Sequence, residues 1–171
     1  SWIDKKVGSG YTYKYTVRAV NGSIKSAYVS SNSLMFLTRP KVTVSANDNG
    51  ILVKWTKSDG ALGYIVYRQE MIAGNWSSWK NMGTAKATKS AWTDKSAEED
   101  VIYRYTVRAV LNDSRSSYTA TSGIVRLAQP TVKLTTIKTN VGNVNVGVKV
   151  SWNKIDGATG YAVYRSYLVI I

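Results

Sequence analysis

Carboxylates are the side chains that this sequence could use for hydrolysis, because its 171 residues include no histidine and no cysteine. A hydrolytic pair needs one carboxyl group as acid and another as base or nucleophile at the same bond. Two acids recur along the chain: Asp4 returns as Asp94, and Asp59 returns as Asp156. A carboxylate that recurs within a repeated motif is typical of a turn or loop cap. We therefore predict no catalytic residues and no enzymatic activity.

Three consecutive acids, Glu98, Glu99 and Asp100, form a small concentration of negative charge. A calcium loop distributes its oxygen ligands over about a dozen residues, and these acids do not follow that spacing. We interpret the segment as a solvated loop, and the sequence predicts no metal and no cofactor.

Aromatic and arginine side chains form a candidate ligand-binding face. Tyr67 is expected to point outward beside Arg108, with Arg104 nearby, and Trp76 lies in an adjoining loop, whereas Trp79 is expected in the core. One interpretation is a set of cross-strand pairs that cover the sheet. The other is a stripe that binds sugars or polyanions, with Trp76 as a stacking platform. The candidate face comprises Tyr67, Arg104, Arg108 and Trp76.

Positive charge is distributed along the whole chain. Lys and Arg number 23 against 10 acids, for a net charge of +13. Residues 1–39, 40–129 and 130–171 carry +5, +4 and +4 respectively. Diffuse positive charge favours weak attraction to polyanions, without the clustered groove of a specific nucleic-acid binder. The longest apolar run, Leu168–Ile171, is far shorter than the roughly 20 residues of a membrane span, so we predict no membrane insertion.

The elements that position these side chains are β-strands. Ile51, Val53 and Trp55 alternate with other residues, and Tyr103–Ala109 follows the same period. Period-two alternation indicates a sheet with one buried and one solvated face. The sequence thus predicts an all-β, two-sheet sandwich. Strands are predicted near 41–46, 50–57, 62–69, 78–82, 87–94, 101–111 and 116–126.

The sequence repeats with a unit of about ninety residues. Tyr13–Val20 (YKYTVRAV) recurs as Tyr103–Val110 (YRYTVRAV), 90 positions later. Gly60–Arg68 (GALGYIVYR) recurs as Gly157–Arg165 (GATGYAVYR), 97 positions later. The chain is therefore predicted to be a tandem array.

These motifs resemble the fibronectin type III family. Trp55 and Trp152 match the Trp of its second strand, and Tyr13 and Tyr103 match the Tyr that opens its sixth strand. The resemblance implies immunoglobulin-like sandwiches in which both tyrosine hydroxyls donate to nearby backbone as a tyrosine corner. The amino-acid sequences of these motifs are most similar to those of repeats in large bacterial surface and secreted proteins.

The repeats predict three segments. Residues 1–39 form the C-terminal part of a first repeat, residues 40–129 a complete repeat, and residues 130–171 the first three strands of a third. Each of the two partial repeats has an apolar face. If that face stays exposed to water, many kcal/mol of hydrophobic stabilisation are lost. We expect chain outside these residues, or another molecule, to complete them.

Because sandwich modules serve many roles, the fold by itself indicates function weakly. The sequence favours a structural spacer and interaction module of a larger extracellular or cell-surface protein, with roles such as adhesion. The alternatives are a module that binds glycans or anionic cell-wall polymers, and an accessory segment of a polysaccharide-degrading enzyme. Expected partners are neighbouring repeats, such polymers, or further copies of the chain joined head to tail.

Overall fold

The computed structural model describes residues 1–138, 140–142 and 144–168, and within these residues it contains strands and no helix. The part of the chain so described accordingly holds no helix able to cross a membrane. The last three residues of the apolar run that begins at Leu168 lie outside the described residues.

Seventeen strands are present in the described residues. In residues 1–39 they are β1 Tyr11–Tyr13, β2 Thr16–Val17, β3 Val20–Asn21, β4 Ile24–Lys25, β5 Val29–Ser30 and β6 Leu34–Phe36. The next nine are β7 Val42–Asn47, β8 Gly50–Trp55, β9 Gly63–Ile72, β10 Asn75–Trp76, β11 Lys80–Lys86, β12 Ala91–Asp94, β13 Ile102–Leu111, β14 Ser114–Arg115 and β15 Ile124–Val125. The last two are β16 Val132–Lys138 and β17 Asn145–Trp152.

Two facing sheets enclose the core. One is three-stranded and antiparallel, in the order β12-β8-β7. The other is centred on the β9–β13 pair, with β10 and β11 pairing along β9 and β14 and β15 at the two ends of β13. The rings of Trp55 in β8 and Tyr64 in β9 meet between the sheets, with centroids 5.4 Å apart. This is a fibronectin type III-like sandwich, and the predicted all-β fold class is confirmed.

The core consists of alternate strand residues, as period-two patterning requires. Ile51, Val53, Val107 and Ala109 are completely buried, and Trp55 retains only 5% of its exposure. Trp55 therefore lies on the buried side of β8, as the period-two alternation predicts.

The tyrosine corner is present in two copies. Tyr103 is buried, and its hydroxyl accepts a hydrogen bond from the backbone N–H of Glu98 at 3.3 Å. The hydroxyl of Tyr13 accepts from the N–H of Gly8 at 2.7 Å and reaches the Gly8 carbonyl at 3.5 Å. The predicted backbone partners of both hydroxyls are confirmed; Tyr13 both accepts and donates, and the bond formed by Tyr103 is one that its hydroxyl accepts.

Two predicted strands are shorter than expected. The strand predicted over 116–126 is reduced to β15 at Ile124–Val125, because side chains take ladder positions along β13. The backbone N–H of Ala109 donates to Ser116 Oγ, and that of Tyr105 donates to Thr121 Oγ1, both at 3.0 Å. The strand predicted over 87–94 begins only at Ala91, since Lys86–Lys89 forms a turn.

Repeated sequence does not give repeated strands. β13 runs unbroken for ten residues, whereas the matching stretch of residues 12–21 is divided among the short strands β1, β2 and β3. The strand predicted within Gly157–Arg165 is not formed, although its counterpart β9 is ten residues long. A strand is held by its hydrogen-bonded neighbours. β9 and β13 pair with each other, while the matching segments have no such partner among the described residues. The division into repeats stays a prediction.

Candidate functional site

A buried polar cluster joins the two sheets at Asp94, the last residue of β12. Its Oδ2 accepts hydrogen bonds from Arg68 Nη1 at 2.8 Å and from the Tyr105 hydroxyl at 2.9 Å. Its Oδ1 accepts from the N–H and the hydroxyl of Ser96, at 3.0 and 2.7 Å. Asp94 therefore caps its loop, as predicted for a recurring acid, and in addition ties β12 to β9 and β13.

The pKa shifts in this cluster are those expected of a buried, hydrogen-bonded ion pair. Burial alone raises the pKa of Asp94, but hydrogen bonds from Ser96, Arg68 and Tyr105 outweigh it and leave the pKa below its ordinary value. Burial, together with the Asp94 charge, raises the pKa of the Tyr105 hydroxyl far above its usual range. Near neutral pH the carboxylate stays ionised and the phenol stays protonated. The arrangement links β12 of one sheet to β9 and β13 of the other.

Sequence reasoning missed the role of Arg68. The signal was available in the strand alternation: if Tyr67 faces outward, the next residue must face inward. The register of β9 and β13 sets Arg68 opposite Tyr105, and Arg68 is only 8% exposed. Its guanidinium also lies over the ring of Tyr103, 4.4 Å from the centroid.

The same cluster recurs in residues 1–39 without its cation. Asp4 Oδ1 accepts from the Lys6 N–H at 2.9 Å, and Oδ2 accepts from the Tyr15 hydroxyl at 3.1 Å. Among the described residues, no Lys or Arg side chain forms an ion pair with Asp4. Asp4 therefore repeats the loop cap and the tyrosine contact of Asp94, but not its ion pair.

The outer face of the β9–β13 sheet carries the predicted ligand-binding residues. The guanidinium carbon of Arg104 lies 4.3 Å from the ring centroid of Trp76 and 5.6 Å from that of Trp79. Arg104 Nε donates to Gln69 Oε1 at 2.7 Å. Trp79 packs edge-on against Tyr118, so its predicted core position is wrong. Arg104 thereby makes cation–π contacts with two indoles.

The remaining candidates lie further along the same face. Arg108 Nε donates to the Ser116 carbonyl at 2.8 Å, and its guanidinium lies 5.6 Å from the Tyr118 ring. The hydroxyl of Tyr67 accepts a weak bond from Arg115 Nη1 at 3.5 Å. The structure thus places all four candidates on one face, where each arginine is paired with an aromatic ring. These pairs match the sheet-covering interpretation, and ligand binding stays a prediction.

The acidic loop uses its carboxylates for local contacts. Glu99 forms an ion pair with Arg126, and Asp100 Oδ1 accepts from the Ala128 N–H at 3.1 Å. Across residues 1–138, 140–142 and 144–168, no group of three metal-ligating side chains converges.

A hydrogen-bonded junction joins residues 1–39 to the central sandwich. Ser9 Oγ donates to the carbonyl of Asp59 at 2.7 Å and accepts from the Thr38 N–H at 3.0 Å. Ser58 Oγ in turn donates to the Thr38 carbonyl at 2.6 Å. Three bonds therefore connect the turn before β1, the segment between β6 and β7, and the loop between β8 and β9.

Two glycines allow the close approach at this junction. A Cβ built on Gly60 would lie 2.5 Å from the Cα of Gly10, closer than real atoms pack. Both glycines have positive φ, 76° and 84° respectively. Leu37, in the connecting segment, is 5% exposed and belongs to the core of the central sandwich. The connecting segment is thus part of a packed unit.

Comparison with known proteins adds one structural likeness. No protein-family model matches this chain, and no curated protein sequence matches it. A solved structure of a Fn3-like protein from Clostridium thermocellum is similar, with 22% identity and a TM-score of 0.42. The match covers 49% of this chain and 88% of that one. The fibronectin type III-like fold described above follows from the strand order of the central sandwich.

Proposed function

We propose that this chain is a structural spacer and interaction module of a larger extracellular or cell-surface protein, with no catalytic activity of its own. The observation that carries the proposal is the junction between residues 1–39 and the central sandwich. Domains in one chain move relative to each other by default, unless their interface is substantial. Here, two hydrogen bonds across the junction, a glycine–glycine contact and a buried Leu37 oppose that motion, and a third bond, between Thr38 and Ser9, fixes the connecting segment.

A spacer needs this property because it must hold attached domains at a set distance and angle. Flexible linkers made of Gly and Ser change their end-to-end distance freely. The segment that enters β7 is instead Leu37-Thr38-Arg39-Pro40, and Pro restricts its own backbone and that of the residue before it. Restricted backbone and packed contacts together favour one relative orientation.

Distances between two spin labels test the proposal directly. The chain has no Cys, so Ser23→Cys and Lys89→Cys provide single labels in exposed turns on either side of the junction. We expect one narrow distance distribution for the labelled chain. Gly60→Ala should broaden it, because the new Cβ cannot fit against Gly10.

Gly74→Ala is the matched control. Gly74 also has positive φ, 81°, so the backbone penalty of alanine is similar, but a Cβ there meets no atom within 4 Å. It should leave the distribution narrow. A broad distribution in the chain without these alanines would overturn the spacer proposal.

The stacked arginines favour a second candidate function, the binding of anionic glycans or cell-wall polymers. Arg104 and Arg108 project from one sheet face beside Trp76 and Tyr118, and the chain carries a net charge of +13. Anionic sugars combine a charge for the guanidinium with a ring face for the indole.

Binding of polygalacturonate, compared with a neutral polysaccharide, tests this candidate. We expect preferential binding of the anionic polymer, and Trp76→Ala with Arg104→Gln should abolish the preference. Lys149 is remote in sequence from this face. If Lys149→Gln reduces binding of the anionic polymer as much as the change at Trp76 and Arg104 does, the binding comes from diffuse charge attraction instead. Hydrolysis of either polymer by this chain would contradict the proposal that it has no catalytic activity. It would also contradict the alternative that the chain is a non-catalytic accessory segment of a polysaccharide-degrading enzyme.

A further inference from the structure

The outer face of the β9–β13 sheet carries a continuous series of contacts between arginines and aromatic rings. Arg104 contacts the rings of Trp76 and Trp79. The Trp79 ring meets the Tyr118 ring edge-on, with centroids 5.7 Å apart, and the guanidinium of Arg108 lies 5.6 Å from the Tyr118 centroid. Two rings in contact therefore link the two guanidinium groups. All of these residues belong to the central sandwich, whose two sheets are both present.

Each of these two arginines is fixed by a single hydrogen bond from its Nε atom. Arg104 Nε donates to Gln69 Oε1 at 2.7 Å, and Arg108 Nε donates to the Ser116 carbonyl at 2.8 Å. Gln69 is itself held, because its Nε2 donates to the Ser77 carbonyl and its side chain is 8% exposed. A guanidinium has five N–H donors, of which Nε supplies one. Among the described residues, no hydrogen bond uses the Nη groups of Arg104 or Arg108.

The positive charge of these two arginines is not neutralised by ion pairs. In the part of the chain that the structure describes, the ion pairs join Arg68 to Asp94 and Arg126 to Glu99. Arg104 and Arg108 are half-buried, so each keeps part of its side chain in contact with solvent. The Nη edge of each guanidinium is thus a planar pair of donors, the geometry that binds a carboxylate through two parallel hydrogen bonds.

The position of the Arg108 guanidinium is set by local contacts. The same arrangement occurs in residues 1–39, where Arg18 Nε donates to the Ser26 carbonyl at 2.8 Å and the guanidinium lies 4.3 Å from the Tyr28 centroid. There the matching strand is short and has no counterpart of β9 beside it among the described residues. The arginine is therefore already oriented before any ligand binds, and less side-chain freedom is lost on binding.

The spacing of the two arginines sets a minimum size for the ligand. Arg104 and Arg108 are four residues apart in β13, which corresponds to about 13 Å along the strand. A single sugar ring with one acidic group is too short to reach both. The linking rings of Trp79 and Tyr118 offer a flat apolar surface, and Tyr118 is 44% exposed. Such a surface fits the C–H face of a sugar ring.

We propose that Arg104 and Arg108 each bind one carboxylate of the same acidic oligosaccharide through their Nη groups, with sugar rings packed on Trp79 and Tyr118 between them. This inference rests on the second candidate function and names its ligand as an oligomer of uronic acids. Diffuse positive charge attracts any polyanion. Two oriented guanidinium groups at a fixed spacing, joined by aromatic rings, select a polyanion whose carboxylates are carried on sugar rings.

Calorimetric titration of the whole chain with galacturonate and with oligogalacturonates of increasing length tests the proposal. We expect affinity to rise once the oligomer is long enough to reach both arginines, a result that needs no variant. Arg104→Lys and Arg108→Lys keep the net charge at +13 but remove the planar donor pair. Each should weaken binding of the long oligomer by about tenfold or more, the loss expected for a hydrogen bond to a charged group, and should remove the rise with length.

Arg39→Lys, at an exposed position before β7, is the matched control and should not change binding. Polyaspartate, a polyanion without sugar rings, should bind the unaltered chain and both lysine variants alike.

The outcomes separate this inference from the function on which it rests. A preference for polygalacturonate that both lysine variants retain in full overturns the inference and leaves the second candidate function standing. Affinity that does not depend on oligomer length, or that Arg39→Lys lowers as much as Arg104→Lys does, overturns the inference in the same way. Equal binding of anionic and neutral polysaccharides overturns both.

Discussion

Replacing Asp94 with alanine tests whether the buried cluster holds the sandwich together. The change leaves the guanidinium of Arg68 buried at 8% exposure without its carboxylate, and it leaves the Tyr105 hydroxyl without an acceptor. Removing one member of a buried ion pair costs about 3–5 kcal/mol. Arg68 keeps Ser96 Oγ at 3.1 Å and the Tyr103 ring at 4.4 Å, so we expect the lower end, about 3 kcal/mol.

A loss of this size is large for a small domain, whose total stability is about 5–15 kcal/mol. Each kcal/mol lowers the melting temperature of a domain of this size by about 4–8 °C, so Tm should fall by about 12 °C or more. Urea unfolding followed by tryptophan fluorescence measures the free energy. Asp113→Ala, an exposed turn residue, should change it by less than about 0.5 kcal/mol.

A second variant separates the ion pair from the volume lost at Asp94. Arg68→Met combined with Asp94→Ala removes the unpaired charge, so the double variant should be more stable than Asp94→Ala. A loss below about 1 kcal/mol for Asp94→Ala, the size of an exposed ion pair, would refute the reasoning. A double variant less stable than the single would refute it as well.

Three further predictions concern the same sandwich. Tyr103→Phe removes the acceptor of the Glu98 N–H and should cost about 1 kcal/mol in urea unfolding; an unchanged midpoint would contradict the structural role of the corner. Trp55→Ala should cost about 3–5 kcal/mol, because the indole fills the space between the sheets, and retention of a cooperative melt at the original Tm would contradict this. Because the pKa of folded Asp94 is depressed, its contribution is fully present above the unfolded pKa, near 3.9, and is lost as pH falls through the lower folded pKa. Acid unfolding should therefore be less steep in Asp94→Asn than in the unaltered chain. An identical acid midpoint and slope would show that protonation of Asp94 does not contribute to acid unfolding.

Local features of the fold could be predicted from the sequence because they depend on residues near one another in the chain. Alternation predicted which side chains of β8 and β13 face the core, and each is buried as expected. The corner bond spans five residues, so it forms at both Tyr13 and Tyr103. The tilted contact between a Trp ring and a Tyr ring likewise forms between Trp55 and Tyr64 and again between Trp152 and Tyr161.

The candidate ligand-binding face was predictable only in part. Alternation placed Tyr67, Arg104 and Arg108 on the outward side, which the structure bears out. It could not supply their partners, since Arg115 and Tyr118 come from the chain after β13. The register and the turn between β13 and β14 decide which ring lies against which guanidinium.

Sequence by itself determined the fold class, the strand periods and the local bonds of this protein, because each depends on neighbouring residues. Tertiary structure decided which strands are complete and which charges are buried. Tyr13–Val20 and Tyr103–Val110 are almost identical, yet only the second belongs to one unbroken strand, since only it has β9 beside it. Asp4 and Asp94 share the same local bonds, yet of the two only Asp94 meets an arginine among the described residues. A strand ladder and a buried ion pair both require a partner that is distant in sequence, and no local pattern provides one.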